Sequence, residues 1–171
     1  STLTLNIVAS DGGIYTGDFT YSGVIAGNLS VVKSGLGTQT LSGVNTYTGS
    51  TTISAGTLKV GSATALGGGD SFNPTVILNG GTLDLNGQYG YAFGAFSGTG
   101  GTLTDSGTVP GTSTVSVASA TSTTFAGVIS EGTVRSLALS KDGTGTLTLT
   151  GANTYAGLTK VWSGAINVQN A

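Results

Sequence analysis

The sequence of 171 residues contains no cysteine, no methionine and no histidine. Without cysteine the chain can form neither a disulfide nor a thiolate metal site. Without histidine it lacks both the base of a serine–histidine nucleophile pair and an imidazole ligand for a metal. These absences exclude several common kinds of catalytic centre, and we expect no cofactor.

Charged residues are also scarce, with five basic and seven acidic residues and a net charge of −2. A nucleic-acid partner would need clustered basic residues, whereas the cations here are scattered: Lys33, Lys59, Arg135, Lys141 and Lys160. Most acidic residues lie beside glycine or in turns, and no pair points to the two carboxylates of a polysaccharide hydrolase. We therefore expect no enzymatic activity and no nucleic-acid partner. No apolar run is long enough to predict a membrane span.

Proline occurs only twice, and no stretch has the apolar spacing of an amphipathic helix. Instead, the chain contains short segments in which polar and apolar residues alternate, and glycine separates one segment from the next. In the segment 146–150, for example, Leu147 and Leu149 share one face, which is typical of a β-strand. Because no Asn-Gly hairpin signal separates the segments within residues 141–168, the pattern there favours a chain that winds rather than folds back.

One stretch of the chain occurs twice. Residues 33–60 match residues 141–168 without gaps, with 14 of 28 positions identical. Such internal repetition is typical of stacked repeats. The shared corner has turn composition, and we predict a structural turn role for Gly43, Asn45, Tyr47, Gly49, Gly151, Asn153, Tyr155 and Gly157. For the two asparagines, bonding to the backbone of a neighbouring loop and a plain turn role both remain open.

The segment Gly-Thr-Leu-Thr-Leu-Thr-Gly-Ala-Asn-Thr-Tyr-Ala-Gly, at residues 145–157, resembles the autotransporter-associated strand repeat of bacterial autotransporter passengers. The resemblance covers most of the chain from about Phe19 to Val168. It implies an all-β, right-handed parallel β-helix that is exported across the outer membrane and is displayed on, or released from, the cell surface. It implies no particular activity.

No linker-like stretch divides the chain, so we predict a single β-solenoid domain over residues 1–171. At about 20 to 25 residues per coil, the chain would make roughly seven or eight coils. Both ends of the sequence have the pattern of ordinary coils. We therefore expect either a piece of a longer solenoid or a subunit that assembles head to tail through its open edges.

Three aromatic residues are candidates for contact with a ligand or partner: Trp162, Tyr89 and Tyr91. Trp162 follows an inward position and is therefore expected to face outward. The alternation of Tyr89, Tyr91 and Phe93 predicts one shared face, which would either fill the core or form a platform for a sugar or a partner.

Two polar residues interrupt the pattern. Gln39 occupies an inward position, so either it bonds within the core or the register shifts there. Asp84 alternates with the apolar residues on either side, and we expect it to point outward into solvent.

These observations favour a structural role, as a stalk, adhesin scaffold or self-assembling fibre subunit on the bacterial surface. The alternative is a solenoid module that binds glycans or ice, with surface glycans or host proteins as partners. Ice binding would require outward Thr-x-Thr rows in register on successive coils.

Overall fold

A computed structural model of the chain describes residues 1–6, 17–69 and 73–169. Strands dominate these ranges, and most are only three to five residues long. The strands are β1 (Thr2–Asn6), β2 (Asp18–Tyr21), β3 (Ser30–Ser34), β4 (Thr38–Leu41), β5 (Thr51–Ile53), β6 (Thr57–Val60), β7 (Thr75–Leu78), β8 (Thr82–Asp84), β9 (Gly90–Phe93), β10 (Ala95–Ser97), β11 (Thr102–Thr104), β12 (Gly111–Val117), β13 (Thr123–Phe125), β14 (Val128–Ile129), β15 (Arg135–Lys141), β16 (Thr146–Leu149), β17 (Thr159–Val161) and β18 (Ala165–Val168).

The strands stack into four parallel sheets. Sheet A has the order β1-β3-β5-β7-β10, sheet B β14-β11-β8-β6-β4-β2, sheet C β17-β15-β12-β9, and sheet D β13-β16-β18. A parallel bridge between Gly98 and Phe125 connects sheet A to sheet D. Each strand inside a sheet pairs with strands of the coils before and after it, so successive coils satisfy each other's backbone hydrogen bonds. The predicted all-β parallel β-solenoid is confirmed.

The number of coils is slightly lower than the sequence predicts. The longest sheet has six strands, and the solenoid makes about six turns rather than seven or eight. Paired residues are 19 positions apart between β4 and β6 but 28 apart between β1 and β3. The prediction assumed a nearly constant coil length, whereas the spacing between paired residues varies from coil to coil.

The core consists of inward side chains that stack in columns. In sheet B the register aligns Leu58, Leu83, Leu103 and Ile129, all of which are buried. A second set of stacked residues is aromatic: the ring centroids of Phe93 and Phe96 are 5.4 Å apart, and those of Phe96 and Phe125 are 4.4 Å apart. Burying each such side chain stabilises the fold by about 1.5–3 kcal/mol.

The two copies of the repeat lie on different sheets. The first copy contributes β3 and β4 to sheets A and B, whereas the second contributes β15 and β16 to sheets C and D. The same sequence therefore serves different sides of the solenoid, because its strands require only an inward apolar column and a coil on each side to pair with.

Candidate functional site

The corner asparagines bond to neighbouring coils. Asn45 is fully buried; its Oδ1 accepts a hydrogen bond from the Ile25 N–H at 2.8 Å, and its Nδ2 donates to the Ala65 carbonyl at 2.7 Å. Asn153 Oδ1 likewise accepts from the Ile129 N–H at 2.8 Å, but its Nδ2 donates within its own corner. Of the two roles that the sequence left open, the bond to the backbone of an adjacent coil is present at both positions.

The other corner residues also repeat their contacts. The Tyr47 hydroxyl bonds the Thr51 hydroxyl, and Tyr155 bonds Thr159 in the same way at 2.8 Å. A Cβ atom at any of the four corner glycines would collide with a carbonyl oxygen of the preceding coil; these are Gly43, Gly49, Gly151 and Gly157. The predicted turn residues are therefore positions where coils come into close contact.

Lys33 and Lys141, which sequence analysis treated only as two of the scattered cations, are buried at equivalent positions of the two repeats. Lys33 Nζ donates to the carbonyls of Ser34, Gly35 and Ala55 at 2.9, 2.6 and 3.1 Å. Lys141 makes the same kind of contact, with carbonyls of its own corner and of Ser119 in the preceding coil. Burial lowers the pKa of both amines. Their matching place in the two repeats was the signal that could have identified them.

A buried ion pair joins the loop after β11 to the first residue of β15. Arg135 Nε is 2.9 Å from Asp105 Oδ2, and both side chains are fully inaccessible to solvent. Ser113 donates to the same carboxylate oxygen, while Arg135 also donates to the Val109 carbonyl at 2.8 Å. This network fixes the loop between β11 and β12. Nothing in the local sequence pattern predicts it, since its members are far apart in the chain.

The pKa of Asp105 lies below its ordinary value. Burial acts to raise this pKa, but hydrogen bonds from Ser113, Gly107, Gly87 and Arg135 favour the charged form and together outweigh it. The carboxylate is thus held ionised inside the loop, with its acceptor oxygens already occupied by structural contacts.

The expected outward position of Asp84 is wrong, because its side chain is buried. Its carboxylate accepts hydrogen bonds from the N–H groups of Asn86 and Ser106 and lies 3.5 Å from Lys59 Nζ. Asp84 ends β8, so its carboxylate can satisfy backbone donors at the corner where alternation no longer applies.

Gln39 keeps the register and bonds within the solenoid. It pairs between Phe19 and Leu58, and its Nε2 donates to the carbonyls of Phe19 and Thr40. Of the two possibilities for this inward polar residue, the core hydrogen bond is the one found.

The three aromatic candidates have different environments. Tyr91 is only 4% exposed, and its hydroxyl accepts a hydrogen bond from the Leu66 N–H, so it fills the core and offers no surface to a partner. Burial raises the pKa of Tyr91 to about 12. Tyr89 does not share its face as expected: it precedes β9, is 65% exposed, and lies against the Arg135 guanidinium.

Trp162 faces outward, as the alternation predicts, and is 67% exposed. The Lys160 ammonium lies 3.5 Å from the centroid of its ring. Beside this pair is a surface groove of about 400 Å³ on the outer side of sheet C. Within the described residues, this groove combines the exposed tryptophan with nearby hydroxyl groups.

The described ranges contain no cluster of metal-binding side chains and no helix with the length and apolarity to cross a bilayer.

Comparison with known families gives two matches to the passenger-associated transport repeat, at residues 31–60 and 139–168. Searches of curated proteins and of solved structures gave no match. The two matched segments include both copies of the sequence repeat and the corner residues described above. The chain thus carries two passenger-associated transport repeats in a parallel β-solenoid, which confirms its resemblance to autotransporter passengers.

Proposed function

We propose that this chain is a non-catalytic structural segment of an exported bacterial surface protein, acting as a stalk or scaffold. The observation that supports this role is the set of contacts that the repeated residues make. Side chains common to both copies contact the backbone of their own corner or of adjacent coils: Lys33 and Lys141, Asn45 and Asn153. The residues that the two copies share therefore stabilise the stacking of coils, rather than forming a set of reactive groups.

Export to the cell surface is part of the same proposal, because the matched repeat belongs to passengers. A solenoid held by stacked backbone hydrogen bonds does not need disulfides to be stable outside the cell. A surface-display experiment tests both parts: the chain, with an epitope tag, is fused between a secretion signal and a translocating barrel. We expect a tag that is accessible on intact cells and a chain that resists protease.

The matched control is the same fusion with Gly43→Val and Gly151→Val, which forces side chains into the preceding coil. Protease should degrade this variant at the surface while leaving the parent chain intact. Rapid degradation of the parent chain would contradict a rigid stalk, and release of sugars from a panel of polysaccharides would contradict a non-catalytic role.

The proposal includes self-association, in which a second copy of the chain stacks on the solenoid. Strands β17 and β18 each pair with one neighbour among the described residues and are largely exposed. The purified chain therefore presents open strand edges, which are templates for further pairing. Electron microscopy at increasing concentration should show rods that lengthen; particles that stay short at every concentration would contradict this assembly.

For the ice-binding alternative, one column of threonines on sheet B is favourable, but the adjacent column is interrupted. In sheet B, Thr38, Thr57, Thr82 and Thr102 are in register on four successive coils. In the adjacent column, however, the positions after Thr40 are occupied by Lys59 and Asp84. A two-row array is interrupted on this face, and we expect no thermal hysteresis in an ice-growth assay.

A further inference from the structure

The groove beside Trp162 lies on the lateral, outward side of sheet C. Register places Ser140 of β15 beside Lys160 of β17, while Ala138 of β15 lies beside Thr114 of β12. Small residues therefore form the floor, and the long side chains of the next coil form a wall. The resulting groove has a volume of about 400 Å³, which is enough for one or two sugar rings.

Lys160 differs from the other four cations in its partners. Lys33 and Lys141 bond backbone carbonyls, Lys59 lies beside Asp84, and Arg135 pairs with Asp105. Among the described residues, Lys160 contacts the Trp162 ring, and no carboxylate lies within 4.0 Å of its ammonium. The groove therefore presents one positive charge that no carboxylate of the described residues neutralises.

The rest of the groove supplies hydrogen-bonding groups and an aromatic surface. The hydroxyls of Thr112, Thr114 and Ser140 line it and make no hydrogen bond within the described part of the chain. The indole of Trp162 offers a broad apolar surface next to the ammonium. An exposed aromatic ring combined with free hydroxyls matches the alternating apolar and polar faces of a sugar.

We propose that this groove binds a sugar ring that carries a carboxylate, such as a hexuronate within a surface or host polysaccharide. Lys160 contacts the carboxylate, the hydroxyls of Thr112, Thr114 and Ser140 contact the sugar hydroxyls, and Trp162 packs against a ring face. A single cation matches a single carboxylate, whereas nucleic acid requires several phosphate contacts and therefore several cations. This site adds a ligand to the proposed scaffold and does not depend on its export.

Trp162 is the chain's single tryptophan, so its fluorescence reports on this groove alone. The purified chain is titrated with digalacturonate and, in parallel, with the neutral disaccharide galactobiose. We expect a saturable fluorescence change with digalacturonate, with affinity about fivefold or more above that for galactobiose and falling as salt is raised. Equal affinity for the two sugars, or no saturable change, would overturn the proposal.

Two variants test the residues. Lys160→Gln should reduce affinity for digalacturonate to that for galactobiose, while Lys59→Gln, which removes the same charge from sheet B, should leave it unchanged. Trp162→Ser should abolish binding measured by calorimetry while keeping the unfolding transition of the parent chain, since the side chain is exposed. Unchanged binding by Lys160→Gln, in a variant with the parent's circular dichroism, would refute the assigned role.

Discussion

The ammonium of Lys33 lies 3.1 Å from the carbonyl oxygen of Ala55, so a buried charge on one coil directly binds the backbone of the next. The same amine satisfies two more carbonyls at its own corner. We predict that Lys33→Met lowers the free energy of unfolding by about 3 kcal/mol, because it leaves buried acceptors without donors. Urea unfolding followed by circular dichroism measures the loss.

The control for this prediction is Lys160→Met, which removes an equal charge from an exposed position. It should change the free energy of unfolding by less than about 0.5 kcal/mol. Equal effects of the two substitutions would mean that the buried contacts of Lys33 add nothing to stability.

The Arg135–Asp105 pair predicts a loss of stability in acid. Because the pKa of Asp105 is lowered in the folded chain, its contribution is present above the ordinary value of 3.8 and is lost as the pH falls below it. Asp105→Asn should remove this acid-dependent part. At neutral pH the same variant should be destabilised by about 3 kcal/mol, because Arg135 becomes a buried charge without its partner.

Unfolding measured between pH 2 and pH 7 distinguishes the two chains. The parent should lose stability more steeply than Asp105→Asn below about pH 4. Parallel curves would show that Asp105 does not titrate differently in the folded and unfolded chain.

The buried tyrosines predict a loss of stability in alkali. Tyr91 ionises at about pH 12 in the folded chain but at 10.0 when unfolded, and burial also raises the pKa of Tyr47. The unfolded chain therefore releases these protons first, so stability present below pH 10 is lost as the pH rises toward 12. Tyr91→Phe should reduce this slope by up to about 1.4 kcal/mol per pH unit.

The buried lysines act in the opposite direction over part of the range. Because burial lowers the pKa of Lys33 and Lys141, the unfolded chain binds more protons below their ordinary value of 10.5, and stability rises with pH there. Comparing the parent with Tyr91→Phe at each pH cancels this effect. An unchanged slope between pH 10 and pH 12 would contradict the assignment to Tyr91.

The close approach of corners predicts unequal effects of two alanine substitutions. At Gly43 a Cβ would collide with the Gly23 carbonyl oxygen, whereas at Gly90 no heavy atom lies within 4 Å of the added carbon. Gly43→Ala should lower the free energy of unfolding by about 1–3 kcal/mol. Gly90→Ala should be neutral or slightly stabilising, because it restricts the unfolded chain. Matching results for the two variants would contradict the packing of this corner.

The sequence predicts the solenoid well because its determinants are local. The alternation around Leu147 and Leu149 defines inward positions, and the repeated Asn45 and Asn153 mark corners that need only short turns. The sequence also places Trp162 on the outside, since a strand's alternation fixes direction.

What the sequence did not predict depends on contacts between distant residues. Arg135 and Asp105 are 30 positions apart, and only the stacking of coils makes them neighbours. Asp84 points toward backbone donors because the strand ends at this residue, which alternation does not reveal. The groove is likewise missed, because its floor and its wall come from three separate coils.

The placement of the two repeat copies on different sheets has a consequence for how the molecule meets its surroundings. A position that faces one direction in the first copy faces another in the second; Ser54 and Trp162, which occupy matching positions, follow β5 of sheet A and β17 of sheet C. Copies of one motif along such a rod therefore point in different directions around its circumference. Coils of different lengths keep their strands in the same sheets, so the direction in which a copy points depends on the sheet that its strands join.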